Sequence, residues 1–126
     1  MIEDILDASA VLAYLQNEKG KEKVEAILET SAIGRVNVTE VLTKLIEKGM
    51  SFENAKEIFD NLDLQIIEFD ENQSLKAAEL RPLNNHLGLS LGDRCCLALA
   101  ILGNLPAVTA DKNWAGLNVC KIEIIR

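Results

Sequence analysis

Apolar positions recur along the chain in two rhythms. Short apolar runs at residues 2–6, 32–36, 64–69, 106–109 and 119–125 read as strands, with the second the weakest. Between them the spacing lengthens to the helical i, i+3, i+4 pattern. Val11, Leu12 and Leu15 mark a helix over 8–16, and Val24, Ile27 and Leu28 mark one over 21–29. Val38, Val41, Leu42, Leu45 and Ile46 give the next, over 38–48, closed by Gly49. Ser51 is placed to cap a helix with Phe52, Ala55, Phe59 and Leu62 on its buried face. Asp70 and Gln73 have capping-box spacing for a helix running toward Leu83, broken by Arg81-Pro82 and Asn84-Asn85. Residues 91–102 are nearly apolar all round, as in a buried helix, and a last helical turn falls at 111–115.

Short strands alternating with helices predict an α/β layered domain with a mostly parallel sheet, occupying residues 1–126 as one unit. In such sheets ligands sit outside the carboxyl ends of the strands, so that edge is where chemistry is expected.

Composition narrows the classes. The chain has 126 residues, 48% of them hydrophobic, which fits one globular core. No apolar run reaches the roughly 20 residues of a membrane span, and the start Met1-Ile2-Glu3-Asp4 lacks the basic opening of a secretory signal. The three cysteines, Cys95, Cys96 and Cys120, show no CxxC spacing. Cys95 and Cys96 read as small core residues, and a reducing cytoplasm is the natural compartment. With 13 basic against 20 acidic side chains the net charge is −7. Nonspecific nucleic-acid binding by a broad basic surface is therefore disfavoured, leaving a local basic patch or bridging metal ions as routes to a phosphate chain.

Four acids fall at the predicted carboxyl edge. Asp7 follows the first strand directly, and Asp111 comes just after the strand ending at Thr109. Glu40 is placed in the first turn of the helix after the second strand, and Asp93 in the first turn of the buried helix. Taken singly, Glu40 and Asp93 have an ordinary reading as first-turn acids, in the pairs Asn37–Glu40 and Ser90–Asp93. Asp7 and Asp111 have less of one. Convergence shifts the balance. Two carboxylates ~4 Å apart repel by about 4 kcal/mol at an effective dielectric near 20. A divalent cation relieves that repulsion, and carboxylate oxygens suit Mg²⁺ or Mn²⁺ better than zinc. Such an ion activates water and neutralises phosphate, the chemistry of phosphodiester hydrolysis.

The segments around these acids resemble the four motifs of the PIN-domain nucleases. Leu6-Asp7-Ala8-Ser9-Ala10 resembles the first motif and Asn37-Val38-Thr39-Glu40-Val41-Leu42 the second. Leu89-Ser90-Leu91-Gly92-Asp93-Arg94 with Cys95-Cys96-Leu97-Ala98-Leu99-Ala100 resembles the third, and Val108-Thr109-Ala110-Asp111-Lys112-Asn113-Trp114 the fourth. Order and spacing agree over essentially the whole chain, with the VapC toxins of bacterial toxin–antitoxin pairs most alike. The resemblance implies a three-layer α/β/α fold and an endoribonuclease dependent on Mg²⁺ or Mn²⁺. It also implies a homodimer and a VapB-like antitoxin. Asp7, Glu40, Asp93 and Asp111 take the acidic, metal-holding and catalytic positions. Ser9, Asn37 and Thr109 take supporting or water-holding ones. The acidic balance is the departure, and it bears on affinity for RNA.

The remaining candidates have ordinary readings beside functional ones. Arg94 and Lys112 each follow a candidate acid, and either contact phosphate, pair with those acids or lie in solvent. Trp114 is expected to pack at a core edge rather than stack on a base. Arg81 and His86 have the Arg-x4-His spacing of the all-helical HEPN ribonucleases, a fold that the strands oppose. The helices at 38–48 and 52–62 have broad apolar faces, where the resemblance points to antitoxin binding. P-loop, GxGxxG and GxSxG motifs are absent. The competing class is a PIN-fold module that binds a protein and has little or no catalysis.

Overall fold

In the computed structural model, which describes residues 1–83 and 88–126, five strands form one sheet. They are β1 (Asp4–Leu6), β2 (Ser31–Gly34), β3 (Gln65–Ile67), β4 (Ala107–Thr109) and β5 (Ile122–Ile124). Their order is β3-β2-β1-β4-β5 and every pairing is parallel. The helices are α1 (Ala8–Leu15), α2 (Lys21–Glu25), α3 (Arg35–Glu47), α4 (Phe52–Asp60), α5 (Glu71–Glu79) and α6 (Leu91–Gly103). Single 3₁₀ turns occupy Leu28–Thr30, Arg81–Leu83 and Lys112–Gly116. The expected breaks at Asn84 and Asn85, and His86, lie outside the described residues.

Strand alternation builds two cores, because successive side chains point to opposite faces. Leu6, Ile33 and Val108 face Val11 of α1, Val41 of α3 and Phe59 of α4. Ile5, Ala32 and Ala107 face Ala77 of α5, Leu97 of α6 and Trp114. This is the expected α/β/α arrangement. Burying each large aliphatic chain stabilises the fold by roughly 1.5–3 kcal/mol before conformational entropy is set against it. Trp114 is fully buried, as its packing reading requires. The three cysteines are free thiols, with Cys95 and Cys96 buried in the second core and Cys120 packed partly against it.

Several boundaries and faces differ from expectation. The second helix ends at Glu25, and the apolar Ile27 and Leu28 continue through a 3₁₀ turn. The second strand stops at Gly34, so Val36 is already helical and Glu40 lies in the second turn of α3. Phe52, expected to be buried, is 54% exposed at the first position of α4. The buried helix is buried only in its middle, since Leu91 and Leu102 are 61% and 48% exposed. Gln73 uses its backbone N–H to complete the Asp70 cap, while its side chain reaches past the box to the Glu68 carbonyl. Among the described residues no helix is long and apolar enough to cross a membrane.

Candidate active site

The parallel sheet brings the four predicted acids to one place. Asp7, Glu40, Asp93 and Asp111 line a hollow of about 170 Å³, together with Ala8, Ser9, Leu12 and Lys44. Each acid comes from a different element. Asp7 directly follows β1, Glu40 rises from α3, Asp93 sits in the first turn of α6, and Asp111 follows β4.

Asp7 is the most tightly held. Asp7 is the single residue between β1 and α1, so the carboxylate that leaves the strand is also the helix N-cap, with Oδ1 accepting from the Ala10 N–H at 2.9 Å. Two hydroxyls secure the carboxylate, one from α1 and one from β4. Ser9 Oγ donates to Oδ1 at 2.8 Å, and Thr109 Oγ1 donates to Oδ2 at 2.7 Å. The same hydroxyls accept backbone N–H groups, Ser9 from Ala110 at 2.9 Å and Thr109 from Asp111 at 3.0 Å. Ser9 and Thr109 therefore tie the β1 end to the loop that carries Asp111. Burial lifts the Asp7 carboxyl to about 6 against the pull of these bonds, and the Asp93 charge adds to the rise.

Glu40 is positioned across the sheet. Asn37 Nδ2 donates to Glu40 Oε1 at 2.7 Å and to the Gly92 carbonyl at 3.1 Å, so one amide binds α3 to the start of α6. This replaces the expected Asn37–Glu40 capping pair, because Asn37 lies inside a helix whose N-cap is Gly34. Gly92 is required by the same contact: a Cβ there would overlap the Glu40 carboxylate. Burial raises the Glu40 pKa, opposed by the Asn37 bond and aided by Asp93.

Asp93 does form the expected capping box with Ser90. Its Oδ2 accepts from the Ser90 N–H at 2.8 Å while Ser90 Oγ accepts from the Asp93 N–H at 3.1 Å. Burial raises its pKa, and Asp111 raises it further. Asp111 caps the 3₁₀ turn, its Oδ1 accepting from Asn113 N at 2.9 Å. Thus Asp7 and Asp111, the two acids with the least obvious structural duty in sequence, both cap, and Glu40 does not.

The donor set can be tested against a divalent cation. The acids supply only hard oxygen donors. Their hydrogen bonds use Glu40 Oε1, Asp93 Oδ2 and Asp111 Oδ1, and among the described residues the other oxygen of each carries no hydrogen bond. Asp7, Glu40 and Asp93 all have pKa values raised by burial, and Asp93 repels both of the others. Negative charge is thus held where it is costly, which a bound cation offsets. Among the described residues no three acids, thiols or imidazoles are drawn together as a closed ligand set. The acids fit a cation by chemistry and placement, facing a hollow rather than clenched on one point.

The two predicted phosphate contacts divide. Lys112 lines an adjoining hollow of about 490 Å³ with Ser9, Ala110, Asp111 and Arg126. Arg94 lies elsewhere: one residue past Asp93 it points off the acid face, and its Nη1 donates to the Ala77 carbonyl at 3.0 Å beside Phe69 and Leu91. Three residues of the site escape the sequence reading. Gly92 left a signal, since glycine in a helix first turn costs about 1 kcal/mol against alanine and marks a close approach. Lys44, one turn after Glu40 on α3, left the i+4 spacing. Arg126 left none.

Known proteins fit this architecture. It is a three-layer fold with carboxylates from four elements at the carboxyl edge of its parallel sheet. The profile described as PIN domain matches residues 5–118, and the chain belongs to this family of nucleases. A toxin–antitoxin complex from Klebsiella pneumoniae is similar, with TM-score 0.75, 19% identity and 98% of each chain covered. DNA-bound VapBC from Salmonella typhimurium gives 0.77 at 15% identity over 100% of each chain. VapBC2 from Rickettsia felis, bound to a promoter DNA fragment, gives 0.74 at 21% identity over 98% of each. At these identities the likeness is one of fold. A sequence search of curated proteins gives no match.

Proposed function

We propose that residues 1–126 act as one unit, a metal-dependent endoribonuclease of the VapC toxin type. The observation that carries this reading is the meeting of Asp7, Glu40, Asp93 and Asp111 around one hollow. These four would hold Mg²⁺ or Mn²⁺. When bound, such an ion polarises water and offsets charge on the reacting phosphate and its leaving oxygen.

The chain's own residues prepare that seat. Ser9, Thr109 and the Ala10 N–H fix both oxygens of Asp7, so the carboxylate cannot rotate out of the hollow. Asn37 holds one oxygen of Glu40 and leaves the other for the seat. The caps at Asp93 and Asp111 do the same for their carboxylates. A preorganised set of this kind binds without first having to order its ligands. The solved toxin–antitoxin complexes of this fold support a VapB-like protein as partner. The homodimer and the cytoplasmic setting belong to the same reading.

One observation favours a second reading, a PIN-fold interaction module without catalysis. Asp7, Asp93 and Asp111 each accept a backbone N–H at the start of a helix or 3₁₀ turn, or complete a capping box there, which is a sufficient structural use for all three. The purified chain incubated with end-labelled RNAs separates the two. The nuclease gives internal cleavage that needs Mg²⁺ or Mn²⁺, stops with EDTA and is lost in Asp93→Asn, whose side-chain oxygen still accepts from Ser90. Cleavage undiminished in Asp93→Asn refutes the site. Saturable Mn²⁺ binding with no RNA cleaved favours the module.

A further inference from the structure

The chain carries net charge −7, yet three cations border the acids. Their order follows from the sheet. Lys44 comes with Glu40 from α3, on the β2 side of Asp7. Lys112 and Arg126 follow β4 and β5 on the other side. Across the carboxyl edge the sequence is Lys44 and Glu40, then Asp7, then Asp111, Lys112 and Arg126. Ser9 and Asp111 line both the acid hollow and the other, so the two spaces adjoin.

The second hollow is built rather than incidental. Gly20, at φ 97°, lies so close to the Ile125 carbonyl that a Cβ would come within 2.5 Å of it. Ile125 is buried and its N–H donates to the Thr109 carbonyl at 2.9 Å. These contacts pin the chain just before Arg126. Arg126 Nη2 is then held by Glu18 Oε1 at 2.9 Å, which sets the guanidinium at the wall of the hollow. Lys112 shares that wall and makes no ion pair among the described residues.

We propose that the hollow between Lys112 and Arg126 seats a backbone phosphate of single-stranded RNA next to the one being cleaved, with Lys44 guiding the strand on the far side. This rests on the nuclease reading and adds to it. The recognised unit is then two consecutive phosphodiesters, read without regard to base. Glu18 serves as a placeholder that holds Arg126 by one bond and yields it to phosphate, which a guanidinium can grip with two.

The test compares wild type with Lys112→Gln, Arg126→Gln, the double variant and Glu18→Gln on a short fluorescent RNA. Cleavage is followed at several salt concentrations, with Mn²⁺ calorimetry on each protein. KM should rise on the order of tenfold in the double variant, and the dependence of log KM on log salt should flatten by about 0.7 for one phosphate no longer neutralised. Mn²⁺ affinity should hold. Glu18→Gln separates charge from structure. If Arg126 only anchors the chain end, breaking its ion pair from either side raises KM alike. If it binds phosphate, Glu18→Gln leaves KM equal or lower. Cleavage by wild type with KM and salt slope unchanged in the double variant overturns the phosphate seat and leaves the nuclease standing. No cleavage and no RNA binding by wild type removes both.

Discussion

The burial of Asp7 has a measurable consequence for stability. Its carboxyl rises from 3.8 to about 6 in the folded chain, chiefly because burial penalises the charge. A carboxyl with a higher folded than unfolded pKa binds its proton more tightly when folded. Between pH 3.8 and about 6 the native state keeps a proton that the unfolded chain releases, so stability falls as pH climbs through that window. The gap corresponds to about 3 kcal/mol. Asn at position 7 resembles the protonated carboxyl in shape, keeps an oxygen for the Ala10 N–H and does not titrate. Urea unfolding of metal-free wild type and Asp7→Asn in EDTA, at pH about 4 and about 8, isolates this group. Glu40 and Asp93 also titrate upward, but they are common to both proteins. The stability of Asp7→Asn relative to wild type should grow by about 2.5 kcal/mol from the acid to the alkaline end, since at pH about 4 the unfolded carboxyl is already partly ionised, or roughly 9 °C in Tm. Saturating Mg²⁺ at pH about 8 should then restore wild type by about 2.7 kcal/mol at a hundredfold excess over Kd and do little for the variant. A relative stability flat with pH to within about 1 kcal/mol, or moving the other way, refutes the claim that Asp7 is a buried charge held at a cost.

Other perturbations separate site from scaffold. Gly92→Ala pushes on the Glu40 carboxylate, the far end of a flexible side chain, so thermal melts should show stability unchanged or slightly raised while calorimetry shows Mn²⁺ affinity falling at least tenfold. Thr109→Val removes both the donor to Asp7 and the acceptor for the Asp111 N–H. Denaturant unfolding should show a loss of about 1–3 kcal/mol, and the Asp7 carboxyl should titrate higher still by NMR. Trp114→Ala empties the centre of the second core, and unfolding should show a loss of about 3–5 kcal/mol with no preference for metal-bound over metal-free protein.

Sequence pattern carries the architecture because period is local. Each strand and helix announces its buried face in a few residues, and alternation of the two implies a parallel sheet with a carboxyl edge. The convergence of the acids follows from that edge alone. Details set by contacts between distant segments do not show. Inside the first turn of α3, Asn37 reaches the Gly92 carbonyl, 55 residues away, whereas the apolar run ending at the β-branched Val36 reads locally as strand. Asp93 caps with Ser90 as its sequence reading has it, whereas Glu40 does not cap and Asp7 and Asp111 do, for a related reason. With Asp7 the only residue between β1 and α1, the acid after the strand becomes the helix cap, a consequence of loop length rather than residue type. Phe52, Leu91 and Leu102 are apolar yet exposed, since a helix end runs past the core that buries its middle.

The hollow must compete for cations with an acidic surface of 20 carboxylate side chains against 13 basic ones. Line broadening of backbone amide signals by substoichiometric Mn²⁺ locates the ion directly. The amides of Ala8, Asp93 and Lys112 should vanish first, with Glu40 close behind, and Asp93→Asn should restore them at the same Mn²⁺ concentration. Broadening spread over the outer acids of α2 and α4, such as Glu25 and Glu57, with the hollow spared, would contradict a metal site formed by Asp7, Glu40, Asp93 and Asp111.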